Sequence, residues 1–153
     1  MEEKIQLSQE MLMKAVLANT TSATKISKIL CDHSEDKILK ADEIILGLIY
    51  RLMTPMTDEE MTQSINEAES VLYAESSDEE SEEENIIDDT DVIEDTDDLS
   101  VSRKIKCNTC NCDICMRCRI CLSNFNDYIP KDNLGDLFKN SILETCKTHN
   151  RIL

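Results

Sequence analysis

The stretch CNTCNCDICMRCRIC, Cys107 to Cys121, sets six cysteines within fifteen residues, and the chain has only two others, Cys31 and Cys146. In a reducing compartment, cysteines this close together are more often metal ligands or redox groups than disulfides. Cys107/Cys110, Cys112/Cys115 and Cys118/Cys121 are pairs with two residues between them, and Cys146/His149 repeats the spacing. Such a pair forms a knuckle whose backbone N–H groups face the sulfurs, and it grips one ion at about 2.3 Å per Zn–S bond.

Seven thiols and one imidazole make eight donors, enough for two complete tetrahedral zinc sites. The expected ligands are therefore Cys107, Cys110, Cys112, Cys115, Cys118, Cys121, Cys146 and His149. A sequential arrangement gives Cys107 to Cys115 one ion and Cys118, Cys121, Cys146 and His149 the other, whereas cross-bracing interleaves the pairs. The sequential form is preferred because no chain crossing is needed, and both stay open. The competing cofactor is an iron–sulfur cluster, since Cys112, Cys115 and Cys118 share the C-x2-C-x2-C opening of bacterial ferredoxins. The next step here has two residues rather than three, with Leu122 in place of proline, and one cluster leaves the remaining donors unexplained.

The formal charge of −16 is concentrated in one place. Residues 75–98 hold 14 carboxylates and no Lys or Arg, which leaves 18 acidic against 16 basic side chains elsewhere. A run of like charges opposes its own collapse, so a disordered acidic linker is expected at 75–100. Ser76, Ser77 and Ser81 each precede a carboxylate by three residues, a pattern that acidophilic kinases accept, and Asn85–Thr90 resembles a SUMO-interacting motif.

Ahead of the linker the apolar residues keep helical spacing. Helices are expected at about 4–16, 23–30, 37–53, with Ser34 as cap, and 57–72, where Thr57 and Glu60 form a capping box and Pro55 ends the helix before. Two Gly, two Pro and no Trp support a mainly α fold: a small helical bundle at 1–74, the linker, and a zinc-stabilised module at 101–153. With neither Cys31 nor His33 grouped with other donors, residues 1–74 are expected to fold without metal. So short a bundle is marginal alone, and self-association through it would help. In the module, Leu122–Ile129 is expected as a short hairpin or extended segment, and Asp132 as the cap of a helix that delivers Cys146 and His149.

Cys118-Arg119-Ile120-Cys121-Leu122 with Phe125 resembles the opening of a RING finger, and Cys146 and His149 are similar to that family's middle ligands. The resemblance covers about a third of the chain. It implies Cys118, Cys121, Cys146 and His149 as ligands, Ile120 and Leu122 as contact residues, and a ubiquitin-conjugating enzyme as partner. The layout as a whole is similar to small regulatory adaptors encoded by large DNA viruses.

The sequence offers no nucleophile beside a base, no glycine-rich phosphate loop, and no open zinc site with carboxylate or imidazole ligands. The functional expectation is an intracellular, cytoplasmic or nuclear zinc-binding adaptor that works through protein partners rather than as an enzyme. A RING-like ubiquitin ligase and a nucleic-acid-associated transcription accessory factor are the alternatives. The latter draws on Arg103, Lys104, Lys106, Arg117, Arg119 and Lys131 around the cysteines. No membrane association is expected, because no stretch nears the roughly 20 apolar residues a span requires.

Overall fold

The structure, a computed structural model, describes residues 1–74 and 101–153. The acidic linker, its three serines and the Asn85–Thr90 motif lie outside the described residues. The described chain is mainly α: α1 (Glu2–Asp32), α2 (Ala41–Met53), α3 (Asp58–Leu72), β1 (Arg103–Lys104), α4 (Asp113–Asn124), α5 (Asn133–Thr148) and β2 (Arg151–Ile152). None of these helices is long and apolar enough to cross a membrane.

Where the sequence suggested two short helices, α1 is continuous for 31 residues. The polar run Asn19-Thr20-Thr21-Ser22 does not break it, because such side chains can satisfy themselves on the preceding turn. Asn19 Nδ2 donates to the Ala15 carbonyl at 2.8 Å, and Thr20 and Thr24 hydroxyls donate to Val16 and Thr20 carbonyls at 2.9 Å. Ser34 does not cap α2. Its hydroxyl donates to the Cys31 carbonyl at 2.7 Å and accepts from the Lys37 N–H at 3.1 Å, closing a turn that ends with Lys37 at φ 52°. The N-cap falls at Lys40, whose N–H is taken by Glu43 Oε2 at 2.8 Å. The Thr57 capping box forms as expected, with the Glu60 N–H on Thr57 Oγ1 at 3.2 Å and the Thr57 N–H on Glu60 Oε2 at 2.9 Å. Thr54 ends α2 in extended geometry before Pro55.

Beyond the linker the main departure is α4. Cys115, Cys118 and Cys121 lie within this helix, with Cys112 as its N-cap. A spacing of three residues suits a knuckle, but it also sets side chains on neighbouring turns of one helical face. Residues 107–129 contain no Gly or Pro to force turns, and the helix prevails. It continues into the stretch expected as a hairpin. Asp132 caps α5 as anticipated, accepting from the Gly135 N–H at 2.7 Å.

α2 is the centre of the packing. It lies against α1 on one side and against α4 and α5 on the other, while α3 packs on α1. Gly47 permits the α1–α2 approach, since a Cβ there would lie 2.5 Å from the Ala23 carbonyl oxygen and 2.3 Å from Ser27 Oγ. One core runs through both described stretches, joining Ile26, Leu30, Ile45, Leu46 and Ile49 to Ile105, Cys115, Cys118, Phe125 and Ile142. β1 and β2 pair in parallel, Arg103 opposite Arg151, and tie the module's two ends together. Asp42, 2% exposed near the start of α2, fastens this pair to the bundle. Its carboxylate meets Arg103 at 3.4 Å and Arg151 at 3.6 Å and accepts the Lys106 N–H at 3.1 Å.

Candidate metal centre

Two helix ends meet where α1 stops and α4 begins. His33 is the C-cap of α1, its N–H bonded to the Ile29 carbonyl at 3.1 Å. The negative end of that helix's dipole favours a cation nearby, and the positive N-terminus of α4 favours thiolates. Cys110 and Cys112 arrive on the loop after β1, and Cys115 occupies the first turn of α4.

His33 Nδ1 lies 3.5 Å from Cys110 Sγ, 3.3 Å from Cys112 Sγ and 3.4 Å from Cys115 Sγ. An imidazole Nδ1 carries one proton or one lone pair, so it can hydrogen-bond to only one of these sulfurs at a time. A tetrahedral ion with Zn–S of about 2.3 Å and Zn–N of about 2.1 Å would separate N from S by about 3.6 Å. The four donor atoms all lie within 4.8 Å of one another, close enough together to hold a metal ion. The three-sulfur, one-nitrogen set matches the closed Cys3His type of structural zinc site and leaves no position for a substrate.

The surroundings orient the thiols. Asn108 Nδ2 donates to the Leu30 carbonyl at 3.0 Å and to Cys115 Sγ at 3.3 Å, and its Oδ1 accepts the Cys110 N–H at 3.2 Å. The Asn108 carbonyl is held by Arg119 at 2.8 Å. The Cys112 N–H donates to Cys110 Sγ at 3.4 Å. Asn108 thus links the end of α1 to the Cys115 sulfur and the Cys110 backbone, the outer-shell role that fixes ligand geometry in metal sites. Without an ion the thiols differ sharply. The nearby Cys115 backbone N–H is the first cause holding Cys112 down to about 7, and burial pushes Cys115 up to about 12.

Three of the eight donors expected from the sequence meet here: Cys110, Cys112 and Cys115. The fourth partner is His33, not Cys107, so the expectation that residues 1–74 carry no ligand is revised. Its only signal in the sequence is proximity to Cys31, and a lone histidine 77 residues ahead of Cys110 has no readable spacing to it. Cys107 is half-buried with Arg119 beside it, and burial raises its pKa. Cys118 is wholly buried in α4, where burial first and then the neighbouring Cys107 push its thiol up to about 12. Cys121 is half-buried beside Thr54 at the end of α2, whereas Cys146 is buried near Asp42 at its beginning. His149 is exposed as the C-cap of α5. Among the described residues these five join no second group of donors. Comparison with protein families, curated proteins and solved structures finds no significant match, and the donor geometry alone carries the functional argument.

Proposed function

We propose that the chain is a zinc-dependent adaptor in which one zinc ion, held by His33, Cys110, Cys112 and Cys115, staples the helical bundle to the cysteine-rich module. The observation that carries this reading is the convergence of three thiols on one imidazole contributed from the other side of the linker. A structural ion there ties together groups far apart in the chain, and because the unfolded chain does not present the site its binding energy adds to the stability of the fold. Fixing the two parts together presents their outer faces as one surface. Exposed Met116 and Ile120 on α4, and exposed Leu134 and Leu137 on α5, supply apolar contact area for a protein partner. Three of the six basic residues that suggested nucleic acid are engaged within the chain: Arg103 with Asp42, Arg117 with Asp113, and Arg119 with Asn108 and Asn111.

The test is native mass spectrometry of the full chain reconstituted with zinc, beside affinity capture with and without chelator. One ion per chain, lost in His33→Ala, together with partners lost under both treatments, supports the reading. Two ions per chain would restore a second site among Cys107, Cys118, Cys121, Cys146 and His149. No bound zinc, or an absorbing iron–sulfur chromophore instead, would overturn it.

Two narrower readings each have one observation in their favour. Ile120, the contact position in the RING resemblance, is 58% exposed. If the chain is a ubiquitin ligase, Ile120→Ala keeps the zinc and loses ubiquitin discharge from a conjugating enzyme. On α1, Ile5, Leu12 and Val16 continue the face that buries Ala23 and Leu30, yet they stand about half exposed. Self-association through this half of α1 would cover them, and sedimentation of wild type against Leu12→Glu reads it directly.

A further inference from the structure

Cys112 and Cys115 flank the start of α4, and their backbones differ in a way that matters for sulfur chemistry. Cys112 is the N-cap with φ −67° and ψ 159°, outside the helix proper, while Cys115 sits in the first turn. An N-cap side chain folds back over that first turn, which is how capping groups reach the third helical residue. The Cys112 and Cys115 sulfurs meet at this helix end, within 4.8 Å of each other and of Cys110. Cys112 is partly exposed and Cys115 is fully buried. An accessible thiol beside a buried partner at a helix N-terminus is the arrangement in which an oxidised sulfur can be captured by its neighbour. The other pairs are less suited. Cys110 and Cys112 have a single residue between them, which strains a disulfide ring. Cys118 and Cys121 are both inside the helix, where residues three apart keep their Cβ atoms about 5 to 6 Å from each other, beyond the roughly 3.5 to 4.5 Å a disulfide spans.

We infer that Cys112 and Cys115 form a peroxide-sensitive dithiol whose oxidation releases the metal and undoes the staple between α1 and α4. The inference rests on the zinc reading above and adds regulation to that site. The Cys112 thiolate attacks one oxygen of hydrogen peroxide; an S–O bond forms, the O–O bond breaks, and the departing hydroxide takes up a proton as water. The Cys115 thiolate then attacks the sulfenic sulfur; the S–S bond forms and the second hydroxide leaves, again protonated to water. Two electrons pass from the two sulfurs to the peroxide. Two of four ligands are consumed, and His33 with Cys110 alone cannot hold the ion. Because α1 touches α4 at few places besides this centre, its loss loosens the end of α1 from the module.

The experiment treats the full chain, loaded with zinc alone, with a slight excess of hydrogen peroxide. A chromogenic chelator follows metal release, and peptide mapping locates the disulfide. The expected result is about one zinc released per chain in step with a Cys112–Cys115 disulfide, a mass about 2 Da below that of the reduced metal-free chain, and zinc uptake restored by a dithiol reductant. Cys121→Ser, which cannot form the competing Cys118–Cys121 bond, should release zinc as the wild type does. Zinc retained under peroxide, a disulfide mapped elsewhere, or protection by Cys121→Ser would each overturn the inference while leaving the zinc site standing. A chain that takes up no zinc at the outset sinks the metal reading, and this one with it.

Discussion

His33 is exposed at the end of α1, where packing gives an imidazole no reason to face three thiols. Its replacement should therefore act on the metal and little else. His33→Ala is expected to weaken zinc binding by at least about a hundredfold, since one of four ligands is lost, with the helical circular dichroism signal of the chelated protein unchanged. His149→Ala, at a side chain that joins no donor group among the described residues, should leave affinity within about twofold in the same competition titration. Equal losses in both variants would mean that the donor set is misassigned. The buried thiol of Cys118 makes a different prediction. Its folded pKa, raised by burial to about 12 from an ordinary 9.0, favours the protonated form in the folded state. The stability it contributes is complete below the unfolded value and is lost as pH rises from about 9 towards 12. The urea midpoint of the reduced, chelated protein should fall as the pH rises above about 9, and Cys118→Ala should flatten that fall. An identical slope in the variant would assign the alkaline loss to other groups.

At the scale of elements, the α1–α2 crossing depends on one missing methyl group. Gly47 faces Ala23 and Ser27 across the contact, and an added Cβ would meet a backbone carbonyl that cannot turn away. Gly47→Ala gains helix propensity, by about 1 kcal/mol. Against that, α2 must move off α1, and overpacking typically costs about 1 to 3 kcal/mol. A net destabilisation is expected, read as a lower thermal midpoint; a rise would show that the crossing has slack. The same crossing positions the metal centre, because α2 carries both α1 and α4. Gly47→Ala should therefore also weaken zinc binding, although its position is in neither half of the donor set.

For the molecule as a whole, two devices join the bundle to the module: the proposed metal centre between the end of α1 and the start of α4, and Asp42 near the start of α2. Asp42 gathers Arg103, Arg151 and the Lys106 N–H around one buried carboxylate. Removing one partner of a buried ionic cluster is far more damaging than never having built it. Asp42→Ala should cost about 3 to 5 kcal/mol in urea unfolding. Chelation of the wild type removes the other device. With free zinc at about a thousand times its dissociation constant, the ion contributes about 4 kcal/mol, lost when it is stripped. Both perturbations should reduce amide-exchange protection around Ile105 and Cys115 more than around Ala68 on α3. Uniform loss would mean that the two stretches unfold as one unit, however they are joined.

Much of this protein follows from the chain's local chemistry. The Thr57 box, the Pro55 stop, the Asp132 cap and the helical character of the first half are set by residues within a turn of one another. The same holds for the assignment of metal chemistry to the cysteine row. The ligand partition is not local. A C-x2-C spacing describes a knuckle and one face of a helix equally well, and whether Cys115, Cys118 and Cys121 become ligands or core depends on what packs against α4. α2 does so, and it covers Cys118 while Cys112 and Cys115 remain at the helix end. His33 was not legible for the same reason: spacing along the chain says nothing about which residue a fold brings back across 77 positions. Local sequence fixes which groups can bind a metal, whereas the path of the backbone through space decides which of them converge on one.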